Sequence, residues 1–397
     1  MFPSILQVQE PQSIDTTGKI QQILRLQQVG CPRDLSNDIY LLKSDSVRQG
    51  AEAFQGSYQR HTEEMGMGKG KGKGKEITVV GAGPAGLVAA ITLQREGYKV
   101  LVREKEPRVG GPPGWHPSAH DTPVAMPGLW EYIGIDCSAC FKDSSENFRF
   151  FMGTEEIPMQ PDHVVWVVER GARETSLDSF LFRIAEKEGV DFEFGKPFSE
   201  QEFKEAPENT IVATGLSLEA YTCLDIPYAI YAGYWAGTEV DKGYVSAAIY
   251  FGSFSKEYGY SSATNGIWYV LIFSRKEVAP EHLETFKQLV VEKEGKSFTQ
   301  WKRFKGFTPK LPQLIYRDRL IFTGTLAGVV EPAIGFGITG ALLSGRIAAT
   351  AVMDRPKGLA EFDRFTRGIP AAIARKKDPF YMPIFKMGDI WFEFPEP

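Results

Sequence analysis

Ile77-Thr78-Val79-Val80-Gly81-Ala82-Gly83-Pro84-Ala85-Gly86 is the stretch that decides the fold. The apolar run Ile77 to Val80 reads as a strand buried on both faces. Gly81 permits the tight turn out of that strand, Gly83 lets the backbone approach a pyrophosphate, and Gly86 allows close helix–strand packing. Pro84 to Glu96 reads as a helix whose first turn, with Pro84 and Ala85, presents N–H groups and a partial positive charge to phosphates. Lys99 to Arg103 reads as a second strand. Glu104 closes it, placed to accept hydrogen bonds from a ribose hydroxyl pair, and Lys105 beside it joins the same expected site. A G-x-G-x-x-G alone is a weak sign. Here it leaves a strand, opens a helix and has its acid at the required distance.

Outward from this unit, two further segments point to FAD. Glu104-Lys105-Glu106-Pro107-Arg108-Val109-Gly110-Gly111 resembles the extended flavoprotein pattern, in which a Gly-Gly pair follows the ribose acid. Ala213-Thr214-Gly215, at the end of the expected strand Thr210 to Ala213, resembles the strand-end motif of flavoproteins with two dinucleotide-binding domains. There, small residues let a strand end pass close to the cofactor.

A third segment runs from Ile321-Phe322-Thr323-Gly324-Thr325 through Pro332, Gly335, Phe336, Gly337 and Ile338 to Ala341. With the first two it resembles the geranylgeranyl reductase family, within the group sharing the p-hydroxybenzoate hydroxylase fold. The resemblance covers roughly Glu76 to Arg367 in motif order. It implies that Gly324 and Thr325 contact the ribityl side of the flavin. It also places Pro332 and the Gly335-Phe336-Gly337-Ile338 helix start beside the isoalloxazine ring. Thr325 stands where the family has Asp, and a hydroxyl is the weaker partner. The Asp-Gly motif of the aromatic monooxygenases and the Trp-x-Trp-x-Ile-Pro signature of the halogenases are absent. No second G-x-G-x-x-G occurs in strand–helix context. Electrons therefore come from transient NAD(P)H binding, from a ferredoxin or flavodoxin, or from a quinol.

The expected fold is α/β: a Rossmann-like FAD-binding domain interrupted by an antiparallel β-sheet substrate domain. The FAD domain takes residues 76–226 and 312–375, and the substrate domain takes 227–311. The latter is dense in aromatics broken by Gly and Ser, from Tyr228 to Trp268, a strand-favouring texture. Helices are expected from Ser176 to Glu188, Pro280 to Glu294 and Gly337 to Met353. Residues 1–75 read as an appendage, with a helix at Thr17 to Gln28 and an alternating Gly/Lys linker that cannot bury apolar surface. Residues 376–397 read as an aromatic tail, expected to dock on the substrate domain, with contact to a membrane or a partner as the alternative.

Composition narrows the function classes. A net charge of −5 excludes general nucleic-acid binding, which needs a basic surface. Four cysteines are too few for a disulfide framework, so a cytoplasmic setting is expected. No signal peptide is expected from Met1 to Glu10, and no stretch approaches about 20 apolar residues.

Of the five histidines, His116 and His120 fall in the Gly/Pro-rich loop that, by resemblance, runs toward the flavin ring. Either can donate a proton there; the alternative is a structural loop. Cys137 and Cys140 form a Cys-x-x-Cys pair, read either as a redox dithiol or as core. Arg170 and Arg173 flank Gly171, and related enzymes have a cofactor-touching Arg near Arg170; a salt bridge is the alternative. No metal site is expected. The leading functional expectation is a flavin reductase of an unsaturated, largely apolar small molecule, prenyl- or polyene-like. The alternatives are an FAD monooxygenase or dehydrogenase, and a non-redox cyclase, isomerase or lyase that keeps FAD as an electrostatic aid.

Overall fold

A computed structural model describes residues 74–111, 118–123, 128–158, 165–275, 277–310, 315–330 and 335–369. The expected appendage, its helix and most of the Gly/Lys linker lie outside these residues, as do His116, Pro332 and the 376–397 tail.

The elements run β1 (Glu76–Val80), α1 (Pro84–Arg95), β2 (Lys99–Glu104), β3 (Ser118–Pro123), α2 (Gly128–Ile133), β4 (Phe141–Asp143), β5 (Phe148–Met152), β6 (Glu155–Glu156), β7 (Val165–Arg170), α3 (Leu177–Lys187) and β8 (Asp191–Phe194). They continue with α4 (Glu200–Glu205), β9 (Thr210–Val212), α5 (Leu218–Cys223), β10 (Tyr228–Glu239), β11 (Ser246–Phe251), β12 (Tyr258–Thr264), β13 (Ile267–Arg275) and α6 (Pro280–Glu294). The last are β14 (Lys302–Pro309), β15 (Tyr316–Arg317), β16 (Leu320–Phe322), α7 (Ile338–Met353) and α8 (Arg355–Thr366).

The first sheet has the order β15-β16-β9-β1-β2-β8. All its pairs are parallel except β15–β16. Helices α1 and α7 pack against this sheet and against each other, and α3 packs against α1. Pro84 opens α1, where its missing N–H costs nothing. Ser176 caps α3 by accepting from Ser179 N at 3.1 Å.

The second sheet has the order β14-β10-β13-β12-β11-β5-β6. It departs from the expected 227–311 span and from a purely antiparallel sheet. Strands β5 and β6 come from earlier in the chain, and β5 pairs parallel with β11, Phe148 opposite Ala247. A parallel pair needs a long crossover. Periodicity within Phe148–Met152 reveals a strand but not so distant a partner.

This sheet's side chains alternate cleanly. Tyr234, Tyr250, Trp268, Val270 and Ile272 face α6 and pack with Leu283, Phe286 and Leu289. Gly259 is required on that side, since a Cβ there would lie 2.4 Å from the Phe286 ring. Trp235, Ile249, Tyr258, Tyr260 and Tyr269 face the other way, toward Ala119 of β3 and Val165 and Val167 of β7. β3 and β7 belong to a three-stranded sheet, β3-β7-β4, which packs on β11, β12 and β13 of the second sheet and touches helices α3 and α7. None of the helices among the described residues is long and apolar enough to cross a membrane.

Candidate functional site

The turn after β1 is built from three glycines with different reasons. Gly81 has φ +105°, and a Cβ there would lie 2.5 Å from the Ala213 carbonyl oxygen. A Cβ on Gly86 would lie 2.0 Å from the Gly81 oxygen. Both glycines are thus demanded by packing alone. Gly83 is not: its φ is −79° and nothing lies within 4 Å of where its Cβ would be. It is the N-cap of α1, and no side chain caps that terminus. A bare, uncapped helix start with space in front of its glycine fits a pyrophosphate.

Glu104 stands at the end of β2, its Oε2 accepting from Ala82 N at 2.7 Å and its Oε1 from Glu106 N at 2.9 Å. A carboxylate has about four acceptor sites, so one on each oxygen remains for a ribose diol. Lys105 instead points to the surface, paired with Glu219 at 3.0 Å. Gly110 and Gly111 have φ of +98° and +79°, and a Cβ on Gly110 would lie 2.3 Å from the Gly171 carbonyl carbon. The Gly-Gly segment therefore rests directly on the turn after β7. Arg170 shapes that turn through Asp178, which its Nε and Nη2 contact at 2.7 and 2.9 Å and which also accepts from Gly171 N at 2.9 Å.

Two strand ends complete the cradle. Ala213 N donates to Val80 O at 2.8 Å, which sets the 213–215 segment beside the glycine turn. The buried Thr214 Oγ1 has no hydrogen-bond partner among the described residues. An orphaned hydroxyl at this point fits a segment that faces a bound cofactor. Gly324 has φ +65° and opens the single turn Gly324–Ala327, with Thr325 half-buried in it. Ser344 of α7 holds this turn, its Oγ accepting from Gly324 N at 2.9 Å and bonding Thr323 Oγ1 at 2.9 Å. Sequence reasoning missed Ser344. The available signal was a serine on the otherwise apolar stripe Leu342, Leu343, Ile347, Ala348.

At the head of α7, Gly335 has φ +80°, Gly337 is the N-cap without a side-chain cap bond, and Ile338 is the first helical residue. A Cβ on Gly335 would lie 3.9 Å from the Tyr258 hydroxyl. Phe336 packs against the cluster of Trp235, Tyr258, Tyr260 and Tyr269. The aromatic face of the second sheet thus meets the helix start that the family resemblance implies beside the flavin ring.

His120 sits on β3 within that meeting point. Its Nε2 lies 2.7 Å from Ser118 Oγ and its Nδ1 3.3 Å from Tyr260 Oη. Its ring is 6.2 Å from Tyr260 and 6.0 Å from Tyr269, centroid to centroid. Burial pushes the Tyr269 hydroxyl well above the usual phenol range, so it stays neutral. Beneath the face, buried Glu169 accepts from Thr175 Oγ1 at 2.5 Å and Asn265 Nδ2 at 3.0 Å, while Arg173 Nη2 donates to Asn265 O at 2.8 Å. This set pins the β12–β13 turn to the turn on which Gly110 rests. Cys137 and Cys140 are free thiols in the core, and burial raises both, Cys140 to about 12. A thiol that keeps its proton is a poor nucleophile, which favours the core reading of the pair.

Comparison with known proteins agrees with this geometry. The profile of the NAD(P)-binding Rossmann-like domain matches residues 79–117. The flavin-containing monooxygenase FMO GS-OX2 of Arabidopsis thaliana is 46% identical over 86 residues, 21% of this chain and 18% of that one. The NAD-dependent dihydropyrimidine dehydrogenase subunit PreT of Escherichia coli is 34% identical over 90 residues, 22% of this chain and 20% of that one. The chain thus spans a fifth or less of these relatives, around the dinucleotide site. Among solved structures, a geranylgeranyl bacteriochlorophyll reductase-like protein from Thermoplasma acidophilum aligns with TM-score 0.57 and 19% identity, over 77% of this chain and 85% of its own. The p-nitrophenol 4-monooxygenase of Pseudomonas putida aligns with TM-score 0.54 and 14% identity, over 77% and 90%. With the cradle described above, residues 79–117 make a dinucleotide-binding site of the Rossmann type. The chain shares its fold with these two solved structures.

Proposed function

We propose that this chain saturates a carbon–carbon double bond in a small, largely apolar substrate of prenyl or polyene type. The observation that carries this reading is the convergence of Trp235, Tyr258, Tyr260 and Tyr269 with Phe336 at the head of α7. FAD, when bound, supplies a hydride from its N5. The protein's own groups have three tasks beside it. The aromatic face binds an apolar chain and excludes water. The N-terminus of α7 carries about half a positive charge and would favour negative charge on a flavin ring bound beside it. The Tyr260–His120–Ser118 chain holds a proton at the Tyr260 hydroxyl and replaces it after transfer to the second substrate carbon.

The test is anaerobic. Dithionite-reduced holoenzyme mixed with an unsaturated polyprenyl alcohol is expected to reoxidise one flavin per double bond saturated. Turnover without reoxidation would assign a cyclase or isomerase. Reoxidation that requires O2 and yields a hydroxylated product would assign a monooxygenase.

A further inference from the structure

We propose that the Tyr269 hydroxyl recognises a carbonyl oxygen of the substrate, so that the double bond reduced is one conjugated to a ketone. The proposal rests on the double-bond-saturation reading and narrows its substrate class to α,β-unsaturated ketones on an apolar skeleton.

Tyr269 is 5% exposed and stands on the aromatic face of the second sheet, directly opposite Ser262 of β12. Its ring stacks on Trp235 at 5.5 Å and lies 6.1 Å from the Tyr260 ring, centroid to centroid. With His120 on the β3 side, these rings hold the phenol in place. The Tyr260 hydroxyl is engaged by His120, but that of Tyr269 has no hydrogen-bond partner among the described residues. A buried phenol left without a partner is costly, and phenylalanine would fill the same space without that cost. The hydroxyl is therefore accounted for by a group that arrives with the substrate. Held neutral by burial, it arrives there as a donor.

Which oxygen it serves follows from its neighbour. In the saturation reading Tyr260 delivers the proton to the second substrate carbon, and Tyr269 is the adjoining phenol on the same face. The acceptor oxygen therefore lies close to the carbon that is protonated. In a conjugated ketone that is the α-carbon, and the carbonyl oxygen is two bonds away, about 2.4 Å. Two phenols with rings 6.1 Å apart serve a pair so spaced, each hydroxyl within about 3 Å of its own target. An allylic alcohol also places an oxygen two bonds from that carbon. Only the ketone gathers negative charge on its oxygen during the reaction, where a fixed donor contributes most.

The step balances. A hydride adds to the β-carbon, and the π pair of the double bond shifts toward the carbonyl oxygen, where Tyr269 donates its hydrogen bond. The pair then returns to take a proton from the Tyr260 hydroxyl at the α-carbon, and the ketone re-forms. The substrate gains one hydride and one proton, and the reduced FAD that gave the hydride is left oxidised.

The experiment uses holoenzyme and β-ionone labelled with carbon-13 at its carbonyl. On the oxidised enzyme, where no hydride moves, isotope-edited infrared spectra read the carbonyl stretch. It is expected at lower wavenumber than in hexane for the wild type and for Tyr260→Phe, and back at the hexane value for Tyr269→Phe. Reoxidation of dithionite-reduced enzyme by β-ionone should slow about 100-fold in Tyr269→Phe, the scale of removing one donor from a developing oxyanion. Because the hydroxyl bonds nothing in the fold, the urea midpoint of Tyr269→Phe should equal or exceed that of the wild type, with FAD absorbance unchanged. The proposal is overturned if the wild type does not bind β-ionone, if its carbonyl shift is absent or survives Tyr269→Phe, or if the reoxidation rate is unchanged by that substitution. A lowered midpoint would overturn it too, by giving the hydroxyl a partner within the protein. A wild type that shifts the carbonyl, yet is reoxidised neither by β-ionone nor by the polyprenyl alcohol, would sink the saturation reading and leave the carbonyl site standing.

Discussion

Gly83 and Gly86 are three positions apart, yet a side chain would meet different things at each. At Gly86 it would enter the Gly81 carbonyl, and at Gly83 it would meet no protein atom within 4 Å. Gly86→Val is therefore expected to destabilise the fold by several kcal/mol, since overpacking of a fixed backbone costs about 1–3 kcal/mol even where neighbours yield. Gly83→Val should leave the urea midpoint nearly unchanged and abolish FAD uptake, read by flavin absorbance after reconstitution. A Gly83→Val protein that binds FAD normally would mean that the pyrophosphate does not approach this turn. At this scale the sequence was most informative. Gly81, Gly86, Glu104 and Gly110 stand where backbone geometry or a carboxylate's acceptors require them. Lys105 and Arg170 were less legible, because a cation's partner is fixed in space: Lys105 went to Glu219 and Arg170 to Asp178. Ser344 was illegible for the same reason, since its partners Thr323 and Gly324 lie on another element.

Elements were legible wherever a local pattern defines them. The α6 span matches its expected span, and α3, β9 and α7 lie within a residue of theirs. What the sequence concealed was pairing: the β3-β7-β4 sheet and the parallel β5–β11 contact join segments distant in the chain. The short segment Ser138–Cys140 between α2 and β4 shows how an element overrides a motif. Its Cys-x-x-Cys spacing suits a dithiol, but burial keeps both protons on. This has a measurable sign. An unfolded thiol ionises near pH 8.5, whereas Cys140 in the fold holds its proton to about 12. Between these values the native state binds the extra proton, so stability falls as pH rises, by about 1.4 kcal/mol per pH unit for this group. The urea midpoint of Cys140→Ala, measured from pH 8.5 to 10.5, should decline less steeply than that of the wild type. Its turnover should be unaffected, and a loss of activity on this substitution would restore a catalytic role to the pair.

Across the whole molecule, the two large sheets are joined by more than adjacency. β5 leaves the dinucleotide half to complete the second sheet, and Asn265 ties the β12–β13 turn to Glu169 and Arg173. The second sheet thus depends on a strand from the first part of the chain, and its β12–β13 turn on β7 and the turn that follows it. Residues 74–369 are accordingly expected to unfold in one calorimetric transition, with equal calorimetric and van't Hoff enthalpies. Two resolved transitions would mean that the β5–β11 pair and the Asn265 contacts carry little energy. The domain-interrupting plan was legible from the change in texture near Pro227. The interleaving was not, because residue patterning carries no record of which distant strands meet.

The strand order of the first sheet also bears on how the chain is made. Central strand β1 lies between β2 and β9, and β9 in turn needs β16, which ends at Phe322. Ribosomes extend a chain at about 5–20 residues per second, so β1 waits roughly 10–50 s from its own synthesis until that neighbourhood exists. During that interval the apolar strand Glu76–Val80 and much of α1, nearly all buried in the finished protein, have no complete sheet to enter. Nascent chains stalled before Phe322 should therefore be held by chaperones and stay protease-sensitive, and protection should arise sharply only after β16 has emerged.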